Sequence, residues 1–129
     1  MVMRRTLIAA VSVLATSLML CAASAMLVER SVDNAVQYLV LAQKAARTGD
    51  TAQARTHMRR LSDQWEADGR WLELLTAHDA LADVRGDIAD ALLCLDSGDR
   101  QEFLRACAGV SADLERLKMT EAVRVMNLF

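Results

Sequence analysis

Two ionisable residues, His78 and Glu121, stand where apolar residues recur at helical spacing. A polar side chain in such a stripe needs a hydrogen-bond partner, because burying it alone is costly. If the segments on either side of Ser97-Gly98 pair as an antiparallel hairpin, His78 falls opposite Glu121. The spacing therefore predicts a buried His78–Glu121 pair. Its main interpretation is structural, and a pH-sensing or ligand-binding role is the alternative.

Further charged residues follow the same predicted helix. Arg85 falls on the apolar stripe, and the same pairing places it opposite Asp113. Asp83, Asp87 and Asp90 lie along one side. A calcium site needs oxygens that converge from a tight loop, which a regular helix does not offer. We therefore interpret the three aspartates as a solvated face.

The sequence contains no pattern typical of catalysis or of cofactor binding. His57 and His78 lack the spacing of a zinc-binding helix, and no glycine-rich phosphate loop is present. Cys94 and Cys107 lie on different faces of their predicted helices, which disfavours a disulfide between them. Cys21 lies in an apolar segment. We expect a protein that is not an enzyme and that has no catalytic residues, cofactor or metal site.

The composition predicts an all-α protein. The chain of 129 residues has no proline, five glycines and only 4% aromatic residues, whereas good helix formers dominate. Without Arg4 and Arg5, 13 of the 15 basic residues remain against 17 acidic ones, a formal charge of −4. An acidic domain repels phosphate backbones, so we expect no nucleic-acid partner.

Residues 6–28 form an uncharged, apolar run preceded by Arg4 and Arg5. At about 1.5 Å per residue this run is long enough to cross a bilayer core of roughly 30 Å. We interpret residues 1–28 as a membrane anchor or signal segment and residues 29–129 as the folded domain. The positive-inside rule keeps the two arginines in the cytoplasm and places the domain outside it.

Cleavage of this segment is the alternative to an uncleaved anchor. Ala23-Ser24-Ala25 fits the small-x-small pattern for cleavage after Ala25, which would release a secreted domain. Against cleavage, the apolar run continues past the site without Gly or Pro. Cys21 also allows a lipoprotein, but Leu20 before it is large where a small residue is expected.

Glycine and capping signals divide the chain into four helices. Thr48-Gly49-Asp50 and Ser97-Gly98-Asp99 are similar turns 49 residues apart, each with a helix C-terminal glycine and a capping aspartate. Asp68-Gly69 is the third stop signal, so helix two is predicted from Thr51 to Ala67 and helix three from Trp71 to Asp96. Short connections predict an up-down bundle of two antiparallel hairpins, with helix one extended from the membrane segment.

This layout assigns roles to the two ends of the bundle. Trp65, Trp71 and the C-terminal Phe129 fall at the membrane side, where tryptophan is favoured. A short helix two would leave the opposite tip of helices three and four uncovered. We therefore predict that Leu93 and Leu104, on the flanks of this tip, form a docking surface for a second copy or a partner.

Three motifs together resemble a known family. Trp65-x5-Trp71, His78-Asp79-x-Leu81-x2-Val84 and the terminal Asn127-Leu128-Phe129 are similar to a domain-of-unknown-function family of small bacterial membrane-anchored helical proteins. The family usually carries another acidic residue where this chain has Ala80. The resemblance implies an anchored helical protein and no assigned activity.

These observations favour an extracytoplasmic accessory or interaction module beside a membrane partner. A structural envelope protein that self-associates through its helices is the alternative. Lipid around residues 6–28 is the expected partner in both cases.

Overall fold

The computed structural model describes residues 1–76 and 78–128, with the side chains of Val125 and Leu128 left out of the description. Four helices account for nearly all of these residues: α1 Val2–Arg47, α2 Thr51–Leu75, α3 His78–Asp96 and α4 Arg100–Leu128. The described ranges contain no strand. The predicted all-α fold is confirmed.

The helices form an up-down bundle. Each helix packs against the next along the chain, and α4 returns to pack against α1. Short turns make neighbours antiparallel, so the four helices stand at the corners of a square. The core is built mainly from aliphatic side chains with two aromatic ones, and its largest fully buried members include Trp65, Phe103, Leu39, Met58 and Leu61. Only the second part of α1 enters this core, from Val28 to Ala46.

The two hairpin turns are built alike, as the sequence predicted. Gly49 and Gly98 have φ angles of 84° and 78°, in the left-handed region that favours glycine. Asp50 Oδ1 accepts a hydrogen bond of 3.1 Å from the Gln53 backbone N–H, and Asp99 Oδ1 accepts one of 3.1 Å from Glu102. These bonds satisfy helix N-terminal donors that would otherwise lack partners.

The predicted boundary between helices two and three is wrong. Helix α2 continues through Gly69 to Leu75, and Thr76 then takes an extended conformation. Gly69 does not adopt a positive φ, so it does not act as a terminator. It is buried against α3: a Cβ built on it would lie 3.7 Å from Arg85 Nη2. A glycine inside a helix costs only about 1 kcal/mol relative to alanine, which packing readily offsets.

This longer α2 changes the partner of Arg85. Arg85 Nε lies 3.3 Å from Glu66 Oε1 on α2, whereas Asp113 lies 3.7 Å from Arg116 on its own helix. The predicted Arg85–Asp113 pair is therefore wrong. The buried stripe of α3 is Leu81, Val84, Ile88, Ala91 and Leu95. Arg85 is one position out of phase with that stripe, at its α2 edge.

Candidate membrane-facing surface

The first half of α1 is an apolar surface without protein cover. Residues 2–17 are all exposed, with exposed fractions of 65% for Leu7, 61% for Ile8 and 61% for Leu14. The helix is long and apolar enough to cross a membrane, and none of its most apolar window is buried. Because the helix does not break, the exposed half and the bundle half form one rod.

We call the end of the bundle nearest the exposed half of α1 its basal end. There, α2 and α4 terminate beside α1. A cavity of about 140 Å³ there is lined by Leu20, Cys21, Ser24, Leu74, Leu75, Glu121 and Arg124. Arg124 Nη1 donates a hydrogen bond of 2.6 Å to the Leu75 carbonyl and lies 3.5 Å from Glu121 Oε1. The arginine thus satisfies a carbonyl at the end of α2 and the charge of a buried carboxylate at once.

A second cleft, of about 330 Å³, lies between α1 and α2 just above this end. Its lining combines apolar and polar side chains: Leu27, Arg30, Ser31, Asn34, Asp68, Trp71, Leu72 and Leu75. Ser31 is buried, and its Oγ donates a hydrogen bond of 2.8 Å to Asp68 Oδ2. Asp68 Oδ2 also accepts a bond of 3.4 Å from Gln64. The polar groups of the cleft therefore mainly hold α1 against α2.

The predicted His78–Glu121 pair is wrong. His78 opens α3 with a side chain 73% exposed, and its Nδ1 lies 3.6 Å from Glu73 Oε1. Glu121 is buried as predicted, at 6% exposure, but its partner is Arg124. The physical reason is the break between Leu75 and His78, which shifts the phase of the helix. Trp71 and Leu75 belong to α2, so the stripe that included His78 does not continue into α3.

The aromatic residues predicted at the membrane side differ in their exposure. Trp65 is buried at 2% exposure, and its Nε1–H lies 3.4 Å from the Leu81 carbonyl, which joins α2 to α3. Placing Trp65 at the membrane interface is therefore wrong. Trp71 is 67% exposed at the basal end, so it remains available for that role. Phe129 lies outside the described residues.

The prediction that a short helix two leaves the tip of helices three and four uncovered is also wrong. Because α2 extends to Leu75, its start at Thr51 is level with the α3–α4 turn, and Arg55 Nη2 lies 3.0 Å from Asp96 Oδ1. A cavity of about 250 Å³ between the two turns is lined by residues from both hairpins. Leu95, Phe103 and Cys107 are buried. Leu93 is 66% exposed and Leu104 is half-buried, so the docking role of these two leucines stays a prediction.

One pair of carboxyl groups joins α3 to α4. A hydrogen bond with Asp113, partial burial and the negative charges of Asp113, Asp90 and Asp83 raise the pKa of Asp87 to about 6. Within the described residues no group of three or more His, Cys, Asp or Glu side chains is placed to hold a metal ion. Asp87 on α3 and Asp113 on α4 therefore lie close enough for their carboxyl groups to interact.

The three cysteines are free thiols. Burial, with a smaller effect of Cys94, raises the pKa of the Cys107 thiol to about 12. A thiol with such a pKa remains protonated and unreactive at neutral pH.

Sequence reasoning missed the residues that hold the basal end together. No pattern in the sequence marks Arg124, because only the end of α2 at Leu75 gives it a carbonyl to bind. Ser31 and Asp68 were missed because Asp68 was assigned to a turn. The proximity of Asp87 to Asp113 was missed because the predicted hairpin register places Arg85 opposite Asp113.

A family model matches most of the chain. The family model described as "Domain of unknown function (DUF4363)" matches residues 22–128, from within the apolar run to the end of α4. No curated protein and no solved structure matches the chain.

Proposed function

We propose a membrane-anchored, extracytoplasmic interaction role for this chain, which belongs to the DUF4363 family. In this proposal α1 crosses the bilayer and holds the bundle beside a membrane partner. The observation that carries the proposal is the two-part character of α1. Its residues 2–17 are exposed and largely apolar, whereas Val28, Val32, Leu39 and Ala42 of the same unbroken helix are buried in the bundle.

The exposed part of α1 needs an apolar environment. Transfer of apolar surface out of water is favourable by roughly 25 cal/mol per Å², and the bundle covers none of this segment's most apolar window. A helix satisfies its own backbone hydrogen bonds, as a lipid environment requires. Arg4 and Arg5 precede the apolar residues and favour a cytoplasmic N-terminus. The bundle then lies on the opposite side of the membrane.

An uncleaved anchor fits the packing better than a cleaved signal peptide. Cleavage after Ala25 would cut inside α1, between Ser24 and Val28, both of which contribute to the basal end of the bundle. It would also remove Cys21 and Ser24 from the cavity that they share with Leu75 and Arg124. The fold thus uses residues on both sides of the cleavage site.

A binding role, rather than catalysis, is supported by how the protein uses its polar groups. The buried Ser31 bonds to Asp68 and the buried Glu121 pairs with Arg124, so both serve contacts between or within helices. We propose an accessory module beside a membrane partner. Self-association of the bundle is the second candidate, because Leu93 offers an exposed apolar side chain far from the membrane.

Protease protection tests the topology. The full chain, tagged at its C-terminus, is expressed, and protease is added to intact spheroplasts and to lysed ones. We expect loss of the C-terminal tag in intact spheroplasts, while an N-terminal tag survives until lysis. Survival of the C-terminal tag in intact spheroplasts would refute the proposed orientation.

Crosslinking in native membranes separates the two candidates. A single crosslinked species containing a different protein supports the accessory role. A ladder of multiples of the chain supports self-association, and Leu93→Lys should then remove the ladder if the leucine forms the contact. A chain that remains uncrosslinked throughout would contradict both candidates.

A further inference from the structure

Exposed apolar side chains gather at the basal end of the bundle. Five of them form what we call the basal collar: Trp71 (67% exposed) and Leu74 (82%) on α2, with Met119 (67%), Val123 (54%) and Met126 (75%) on α4. α2 and α4 are the two helices that flank α1. The collar therefore lies on both sides of the helix that carries the apolar N-terminal run.

The collar is level with the end of that run, not beyond it. Leu74 and Leu75 line one cavity with Leu20, Cys21 and Ser24 of α1. Trp71 lines the next cleft with Leu27 and Arg30. On the α4 side, Glu121 and Ala122 lie beside Ala25 and Val28. Because α4 runs antiparallel to α1, Val123 and Met126 lie still closer to the N-terminal half of α1.

The length of α1 then fixes the depth of the collar. A bilayer core of roughly 30 Å takes about 20 helical residues at 1.5 Å each, so a span that begins after Arg5 ends near Ala25. The helix is unbroken here, and no linker lifts the bundle away. The α1 residues that share a cavity with Leu74 and Arg124 thus belong to the last turns of the span, and the collar cannot stand clear of the lipid.

The ion pairs of α4 agree with this depth, since those that involve α1 lie at the upper edge of the collar. Lys118 lies beside Met119 at the upper edge of the collar, more than one turn above Val123, and its Nζ is 3.2 Å from Asp33 Oδ1 and 3.8 Å from Glu29 Oε1. Glu29 is the first charged residue after the apolar run. Below it, Arg124 satisfies the Leu75 carbonyl and pairs with Glu121. Backbone carbonyls near lipid need such internal partners, and a long arginine side chain can extend to the headgroups.

We infer that the basal collar is seated in the outer interfacial layer of the bilayer, so that lipid covers Trp71, Leu74, Val123 and Met126 and the bundle stands directly on the membrane. This inference rests on the proposed anchoring by α1 and adds a second lipid contact, made by α2 and α4. Tryptophan suits this position because its ring is apolar and its N–H is polar.

Tryptophan fluorescence tests the inference in the full-length chain reconstituted into phosphatidylcholine vesicles. The chain has two tryptophans, and Trp65 is buried. The difference between wild type and Trp71→Phe therefore reports Trp71 without changing the core. The matched control adds Leu93→Trp to Trp71→Phe, which places an exposed tryptophan at the distal end instead. Lipids brominated just below the headgroup quench the fluorescence of a tryptophan in the membrane interface, and iodide quenches that of a tryptophan exposed to water.

We expect the Trp71 difference emission to be lost with brominated lipid and retained with iodide, and the probe at position 93 to show the reverse. If the chain floats with the vesicles but iodide quenches both probes equally, the collar lies in water, and the inference fails while the anchoring stands. If neither reagent quenches Trp71, protein covers the collar, and the inference again fails. A chain that does not float with the vesicles would refute the anchoring itself.

Discussion

Replacing Gly69 with Ala should stabilise the bundle, although the sequence suggests that this glycine ends a helix. Gly69 lies inside α2, which continues to Leu75, and it does not adopt a positive φ. Alanine is favoured over glycine in a helix interior by roughly 0.5–1 kcal/mol. The new Cβ would lie 3.7 Å from Arg85 Nη2, an ordinary contact with the end of a flexible side chain. We therefore expect nearly the full gain.

Thermal unfolding of the full chain in detergent micelles, followed by far-ultraviolet circular dichroism, measures this gain. For a bundle of about 100 residues, 1 kcal/mol shifts the Tm by about 4–8 °C, so Gly69→Ala should raise it by a few degrees. The matched control is Gly98→Ala. Gly98 has open space around it but a φ of 78°, so alanine there should cost about 1–2 kcal/mol. If both variants lose stability alike, α2 ends at Gly69 and the description of the boundary is wrong.

Three further predictions concern single side chains. Arg124→Ala should cost about 1–3 kcal/mol because it leaves the buried Glu121 carboxylate and the Leu75 carbonyl without their partner, whereas His78→Ala should change stability by less than about 0.5 kcal/mol; equal losses in thermal unfolding would contradict this assignment. The pKa of Asp87, raised from 3.8 to about 6, means that the folded state binds the additional proton. Its contribution to stability is then complete below about pH 4 and lost as the pH rises through 6. The Tm of the wild type should fall over that interval relative to Asp87→Asn, and parallel curves would refute the assignment. Cys107 should react with a thiol reagent only after unfolding, whereas Cys94 reacts in the folded protein; modification of both at one rate would contradict the burial of Cys107.

The sequence was sufficient to predict the elements that depend on local signals. Gly49 and Gly98 end helices at positive φ, and Asp50 and Asp99 cap the next ones, because each of these effects acts within a few residues. The absence of proline and the apolar periodicity predict an all-α bundle for the same reason. The uncharged run at residues 6–28 likewise predicts a helix able to span a membrane.

The candidate site was harder to predict because it depends on one boundary. Asp68-Gly69 has the composition of a stop signal, yet Gly69 is buried and α2 continues through it to Leu75. The true break follows Leu75, where no glycine marks it. Because the break lies six residues later than predicted, Trp71 and Leu75 belong to α2, and His78 does not continue their apolar stripe. The later break removes His78 from the core, buries Trp65 alone of the two tryptophans and covers the distal tip.

The exposure of Trp71 and Leu74 at the basal end could not be predicted from periodicity either. Trp71 and Leu74 are apolar residues on a helix, which ordinarily predicts burial. They lie at the basal end of α2, beside the apolar part of α1, and are exposed there. In the arrangement that we propose, lipid covers them, and a residue pattern alone does not locate a membrane surface.

We propose that one uncleaved helix is both the anchor and the first helix of the bundle. The intact mass of the protein purified from cell membranes decides this, because cleavage after Ala25 would leave a chain that begins at Met26. We predict a species of 14.2 kDa, the mass of the full chain, in the membrane fraction. A soluble species beginning at Met26, with no full-length chain in the membrane, would contradict the claim.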